Sequence, residues 1–281
     1  MDNATQPPHE PPHEPPHGSG DGRLRIAIEA AHAGGEVLLG YFGGELQIET
    51  KSNAIDLVTV ADRAAEKTIL ARFAEATPDY AVLAEESGAR AGKPGAPRWV
   101  VDPLDGTTNF AHGNPHYSVS IGLMEDDVPI VGVVHDPGRG ETFYAERGYG
   151  AWLLSGGHTR RLAVGDAEVL ADSVIATGFA YDRATAKNSN VEEFTRVIGK
   201  VRGIRRAGGA ALDLAWVAAG RLDAYWEYGL APWDWCAGSV IVRESGGTIF
   251  TLDRGEWTID SPSICVGQPT LVTALLETLQ P

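Results

Sequence analysis

The segment Trp99-Val-Val-Asp102-Pro-Leu-Asp105-Gly-Thr-Thr-Asn-Phe110 ends a short apolar run in two carboxylates three residues apart, held across a proline turn. A glycine and two hydroxyls follow at once. These groups suit a site that grips a hard cation and offers phosphate a cradle of backbone N–H groups. Pro103 has no N–H and a fixed φ, so it can hold the turn that lets Asp102 and Asp105 converge. Gly106 permits close backbone approach. The amides of Gly106 and Thr107 can meet a phosphate oxygen if a helix starts there.

Three further acidic positions stand at the ends of expected elements. Glu85-Glu86 follows the apolar stretch ending at Ala84, Asp62 falls in the first turn of a helix beginning near Thr59, and Asp234 follows Pro232 at a helix start. Each has a purely structural reading. Asp62 completes a capping box with Thr59, Asp234 complements a helix dipole, and Glu85-Glu86 forms a solvated turn. Asp102 is harder to dismiss, because a carboxylate ending a buried run needs partners. Carboxylates at element ends, with no clustered Cys or His, select a hard metal such as Mg²⁺ over zinc.

Rival motifs fail on the same letters. Counted as a calcium loop from Asp102, the third position is Leu104 and the twelfth Gly113. The Asp-x-Asp of aspartyl-phosphate chemistry is absent, as are a Walker motif and a nucleophile elbow. Water is the best remaining nucleophile.

The elements that must position these groups alternate in part and run together in part. Helices are expected from Asp21, with Leu24, Ile28, Ala31, Leu38 and Leu39 on one face and Gly34-Gly35 weakening the middle. Others are expected from Thr59, over 191–198 and 210–219, from Trp233 to Glu244, and from Thr270 to Leu279. Strands are expected over 80–84, 98–101, 117–123, 130–134, 142–145, 173–177 and 223–227. This order indicates a layered α/β or α+β fold. Residues 1–20, with Pro-Pro-His-Glu repeats and His9, His13 and His17, read as a disordered tail preceding one domain over 21–281.

A net charge of −15 argues against a nucleic-acid surface and raises the question of how an anionic substrate enters. No apolar run approaches a membrane span. Two cysteines, Cys236 and Cys265, argue against a disulfide framework and for a reducing, cytoplasmic setting.

In four blocks the chain resembles the inositol monophosphatase family of magnesium-dependent, lithium-sensitive phosphatases. The blocks are Lys51 to Asp62, Ala84 to Ser87, Trp99 to Phe110, and Pro232-Trp-Asp234 with Ala237-Gly238. The resemblance implies a layered αβαβα sandwich of the sugar-phosphatase type, a homodimer, and two to three Mg²⁺ per site. Glu85, Asp102 and the Leu104 carbonyl would hold the first metal. Asp102, Asp105 and Asp234 would hold the second. Glu85 and Asp62 would serve a third, with Glu86 close by. Thr107 with Glu85 would orient a water, making Glu85, Asp105 and Thr107 the catalytic set.

Substrate contacts would come from Gly106, Thr107, Thr108, Gly208, Ala210 and Glu227, with Lys51 in a loop near the metals. The chain departs from the family pattern at Gly209, where a small hydroxyl residue is usual, and at Trp235 and Cys236, where small aliphatics are common. Thr108 stands where the 3′-phosphoadenosine and several histidinol-phosphate phosphatases carry lysine, which favours inositol 1-phosphate or a similar polyol or sugar phosphate. Histidinol-phosphate phosphatase and fructose-1,6-bisphosphatase activities are the alternatives within the fold. A metal- or anion-binding protein is the alternative outside catalysis.

Overall fold

The computed structural model describes residues 17–44, 48–50 and 57–280. His9, His13 and Lys51 lie outside them. Helix α1 (Arg23–Tyr41) has Gly22 as its N-cap, at φ 84°, while the Asp21 carboxylate accepts from the Arg23 N–H at 2.9 Å. The expected Asp21 cap is thus displaced by one residue. Leu38 is buried but Leu39, expected beside it, is 48% exposed; a helix turns about 100° per residue, which carries Leu39 off the stripe. Gly34 and Gly35 are packing requirements. A Cβ would stand 2.8 Å from Ile69 Cδ1 at Gly34 and 2.6 Å from His135 Cδ2 at Gly35.

A short hairpin-like pair, β1 (Ile48–Thr50) with β2 (Leu57–Thr59), leads into α2 (Val60–Ala76), which packs beside α1. Next come β3 (Ala81–Ala84), β4 (Gly88–Arg90), β5 (Arg98–Asp105) and the short helix α3 (Thr107–Ala111). An antiparallel run follows: β6 (Ser118–Glu125), β7 (Val128–Asp136), β8 (Glu141–Glu146), β9 (Ala151–Ser155) and β10 (His158–Arg161). These strands form an eight-stranded sheet ordered β10-β9-β8-β7-β6-β5-β3-β4, in which β3 and β5 are parallel.

The rest of the chain supplies β11 (Val174–Thr177), α4 (Val191–Ile198), β12 (Gly203–Arg205), α5 (Ala210–Ala218), β13 (Ala224–Tyr228), α6 (Pro232–Glu244), β14 (Thr248–Phe250), β15 (Ser263–Gly267) and α7 (Pro269–Leu279). Its sheet is ordered β12-β11-β13-β15-β14.

Three apolar clusters define the layers. One joins α1 and α2 to the large sheet, through residues such as Ile69, Phe73, Trp99 and Val101. A second fills the space between the sheets around α5 and α6, with Val100, Leu214, Trp235 and Tyr225. The third seats α7 on the outer face of the small sheet, with Trp226 and Leu275. The result is the expected αβαβα sandwich. Alternation along β13 sends Tyr225 and Glu227 inward and Trp226 outward. No helix among the described residues is long and apolar enough to cross a membrane.

The last residues of the segment read as a tail do make contacts. His17 stacks on Trp152 with ring centroids 3.7 Å apart, and the Ser19 N–H donates to Glu146 Oε2 at 2.9 Å.

Between α1 and the sheet, His32 Nε2 lies 2.8 Å from Thr142 Oγ1, and His135 Nδ1 lies 3.0 Å from the same hydroxyl. Burial, with His32 alongside, pushes the His135 imidazole down from 6.5 to about 3. In that window the unfolded chain holds the proton and the folded one does not. Stability attributable to His135 is therefore whole above pH 6.5 and lost as pH falls toward 3, with a slope approaching about 1.4 kcal/mol per pH unit. Denaturant titrations of wild type and His135→Gln at pH 7 and pH 5 are expected to show the smaller acid loss in the variant. An equal loss in both would rule out this origin.

Candidate active site

Asp102 and Asp105 share a face because the strand that carries them is irregular. β5 pairs with β6 as Asp102↔Ser120 and Asp105↔Ser118, with a register shift between. Two residues of β5 therefore oppose one of β6. In an unbroken strand, side chains three apart point to opposite faces; the extra residue restores Asp105 to the side of Asp102. Pro103 sits in this bulge, where a strand tolerates the missing N–H. Val100 on the same strand packs into the cluster between the sheets, so both carboxylates face α5 and α6.

The two helices meet them with their N-termini. One Asp105 oxygen accepts from the Ala210 N–H at 3.0 Å, and the other from Ala211 at 3.0 Å, Leu212 at 3.3 Å and the Ser118 hydroxyl at 3.3 Å. The N–H of Ala210, a residue the resemblance implies on the substrate side, thus bonds Asp105. Gly209 suits this arrangement: a Cβ would come 3.1 Å from Asp105 Oδ2 and 3.3 Å from His116 Cδ2. Asp234 stands in the first turn of α6 after Pro232, and its Oδ2 accepts from the Ala231 N–H at 2.7 Å.

Asp62 satisfies its capping reading and also reaches Thr107. It closes the capping box of α2, with Oδ2 accepting from the Thr59 N–H at 2.8 Å and the Thr59 hydroxyl at 2.6 Å. Its Oδ1 lies 3.1 Å from Thr107 Oγ1, which is also 3.1 Å from the Leu104 carbonyl. Gly106, at φ 91°, turns the chain from β5 into α3; a Cβ there would meet the His116 carbonyl at 2.9 Å. Glu85 and Glu86 lie in a turn and are half-buried rather than fully solvated. The Glu85 N–H donates to Val101 at 3.1 Å, and the Glu86 N–H to the Glu66 carboxylate at 2.9 Å.

The site is dense in negative charge. Burial, then the charges of Glu85, Asp105 and Asp234, hold the Asp102 carboxyl well above the usual range. Burial, then Glu85 and Asp105, do the same to Asp234. Burial takes Asp105 to about 6 against the pull of its backbone donors. Asp62 is also raised by burial, with Glu85 adding to it. All the donors are oxygens. That chemistry fits a hard divalent ion. Among the described residues, no three His, Cys, Asp or Glu side chains stand close enough together to hold an ion as they are. Asp62, Asp105 and Asp234 are instead turned toward backbone and hydroxyl donors, while the Asp102 and Glu85 carboxyl groups hydrogen-bond to each other.

A cleft of 520 Å³ opens from Asp105, Gly106, Thr108 and Asp234. Gly208 and Ala210 line it with Glu227, whose carboxyl is raised to about 7 by burial and accepts from the Tyr225 hydroxyl. Gly178 lies against Glu227 so closely that no Cβ fits. Trp235 and Cys236 are core residues, with burial pushing the Cys236 thiol up to about 12.

Sequence reasoning missed Asp213 and His116. Asp213 lines the cleft, and its Oδ1 is 3.3 Å from His116 Nε2, both groups being buried. The signal for Asp213 was available: it is the lone charge in the helix Ala-Ala-Leu-Asp-Leu-Ala-Trp-Val-Ala. His116, before a strand in a loop, offered none.

The model of the inositol monophosphatase family matches residues 21–281. The chain is 47% identical over 230 residues to the inositol-1-monophosphatase of a Synechocystis species, covering 82% of this chain and 79% of that protein. The crystal structure of the extragenic suppressor protein suhB from Bartonella henselae superposes with a TM-score of 0.85 at 39% identity, over 92% of this chain and 98% of that one. The inositol monophosphatase from Anabaena gives 0.81 at 40% identity, over 91% and 94%. Fold, cleft and likeness together define a phosphoric monoester hydrolase. The chain belongs to the inositol monophosphatase family.

Proposed function

We propose that the protein is a Mg²⁺-dependent phosphatase of small polyol or sugar phosphates, with inositol 1-phosphate as reference substrate and water as nucleophile. The observation that carries this reading is the bulge in β5, which turns Asp102 and Asp105 together toward the N-termini of α5 and α6 beside Thr107. Glu85, Asp102, Asp105, Asp234 and the Leu104 carbonyl would hold two metals, with Asp62 and Glu85 serving a third. The chemistry supplied there by bound magnesium is Lewis acidity, which acidifies water and offsets charge on phosphate oxygens.

The chain's own groups do the rest. Thr107 Oγ1 has one proton and two acceptors at 3.1 Å, Asp62 Oδ1 and the Leu104 carbonyl. Its lone pairs are then left to accept from the attacking water and fix its orientation. Asp62 Oδ1 is the atom that takes the Thr107 proton, and Thr59 holds its other oxygen in place. The amides of Gly106 and Thr107, at the turn into α3, are offered to the phosphate, and Thr108 borders it. Glu227 receives a substrate hydroxyl at the inner face of β13. We place the enzyme as a homodimer in the cytoplasm; the two buried free thiols suit a reducing compartment, and the dimer rests on the family resemblance. Lys51 is assigned to the substrate side on the same resemblance.

Phosphate release from inositol 1-phosphate is expected with Mg²⁺ and is expected to stop with EDTA. Absence of metal-dependent turnover on this and several other phosphomonoesters would leave only a metal- or anion-binding protein.

A further inference from the structure

Helix α4 begins at an asparagine whose side chain does not cap it. Asn190 is the N-cap residue, at φ 66° and ψ 2°, and its side chain makes no bond to the helix amides. An asparagine in that place ordinarily spends Oδ1 on the first turn. Here Oδ1 accepts from Trp226 Nε1 at 2.6 Å, while Nδ2 donates to Thr177 Oγ1 at 2.8 Å and to the Gly178 carbonyl at 2.6 Å. The Thr177 hydroxyl donates in turn to the Trp226 carbonyl at 2.7 Å. An indole N–H can only donate, so the oxygen end of the amide must face Trp226. Both amide protons are matched as well, and all three side chains are buried.

These bonds tie both ends of the segment 178–190 to β13 just where Glu227 leaves that strand. Thr177, the last residue of β11, pairs with Trp226 in parallel register. Glu227 follows Trp226 and lines the cleft. Gly178 lies flat against its carboxyl: a Cβ there would fall 2.0 Å from Glu227 Oε2 and 2.2 Å from Oε1. Oε2 also accepts from the Tyr225 hydroxyl. Through the Gly178 carbonyl, Asn190 therefore holds the backbone that bounds Glu227 on one side. Phe179 and Tyr181 line the cleft from the same segment, whereas Asn190 itself does not.

We propose that Asn190 is a positioning residue for Glu227: by holding Gly178 against that carboxyl, it fixes where the cleft receives a substrate hydroxyl and so favours hydroxylated esters over plain ones. The proposal rests on the phosphatase reading above and deepens it. A side chain already immobilised before the substrate arrives loses little further freedom on binding, which strengthens the hydroxyl contact. The Glu227 carboxyl meets that condition, with the Tyr225 hydroxyl on one oxygen and the Gly178 backbone across both. None of the Asn190 bonds involves Asp102, Asp105, the Gly106 turn or Asp234. Their loss should therefore weaken substrate binding and leave the chemical step alone, which appears as a change in KM at constant kcat.

The test is steady-state kinetics with Mg²⁺ on inositol 1-phosphate and on phenyl phosphate, which has no hydroxyl for Glu227 to bind. Asn190→Gly removes the side chain and keeps a residue at ease with positive φ. Its KM for inositol 1-phosphate is expected to rise about five- to tenfold with kcat within about twofold, and both constants for phenyl phosphate are expected to stay within about twofold of wild type. Trp226→Phe loses the indole N–H but leaves the bond to Gly178, so it is expected to lower the melting temperature while keeping KM near wild type. In a Glu227→Ala background, Asn190→Gly is expected to add nothing to KM, since the two residues act as one unit. An unchanged KM in Asn190→Gly, an equal loss on both esters, an equal KM rise in Trp226→Phe, or additive losses in the double variant would each overturn the proposal. Should Asn190→Gly fail to fold, Thr177→Val removes the hydroxyl that joins Asn190 to β13 and is expected to give the same split between the esters; no split would overturn the proposal. If the wild type hydrolyses neither ester, the phosphatase reading itself fails and takes this proposal with it, a pattern distinct from turnover without the split.

Discussion

Asp105→Asn is expected to lose activity and stability together. The carboxylate is the acceptor for three amides at the start of α5 and for the Ser118 hydroxyl, and it uses both oxygens to do so. An asparagine keeps one oxygen and turns an NH₂ group toward at least one N–H donor. A buried donor is then left unpaired, which costs about 1–3 kcal/mol. Turnover is expected to fall by on the order of 10²–10³-fold or more, the scale on which single electrostatic groups of active sites act. Phosphate release and denaturant unfolding on the same preparation check both halves. Activity retained within a few-fold would remove Asp105 from the catalytic set. Lost activity at unchanged stability would show that α5 does not depend on this carboxylate.

Asp102→Asn is expected to behave in the opposite way on stability. Asp102 accepts from the Leu104 N–H at 2.9 Å through one oxygen, a bond that asparagine keeps. Its carboxyl is otherwise buried among Glu85, Asp105 and Asp234, and its pKa in the fold is raised above the ordinary 3.8. A carboxyl raised in this way binds its proton more tightly folded than unfolded. Folding is therefore weakened as pH rises from 3.8 toward the folded value, by about 1.4 kcal/mol for each unit of the shift. Removing the charge relieves that penalty. Without metal, Asp102→Asn is expected to melt above wild type at pH 8 and to lose the advantage progressively as pH falls toward 3.8. Adding Mg²⁺ is expected to raise the wild-type melting temperature more than that of the variant, since ligand binding to the folded state alone stabilises it. Turnover is expected to be lost in the variant. A variant less stable than wild type at pH 8 without metal would contradict the mutual repulsion described here.

Much of this was legible in the letters. The strand entering Asp102 could be read from Trp99-Val-Val because a buried strand shows as a continuous apolar run, and α6 from Pro232 followed by Asp234. The capping reading of Asp62 held, and its second oxygen is left for Thr107. Less legible were elements with no periodicity of their own. β10 is exposed along its whole length and exists through its pairing with β9. Leu39 was misplaced because two adjacent leucines near the edge of a helical stripe do not reveal which faces inward. Gly34-Gly35 looked like weakness because their value lies in Ile69 and His135, which are distant in sequence. The commitment of the Ala210 amide to Asp105 joins residues 105 apart, a distance no local pattern spans.

The bulge in β5 carries an evolutionary consequence. The site depends on parity as well as composition: deleting one residue between Asp102 and Asp105, or adding one, would rotate a carboxylate to the far side of the sheet while leaving every acidic letter in place. Lineages of this protein should therefore tolerate exchanges at Leu104 far more readily than any change in the length of that stretch.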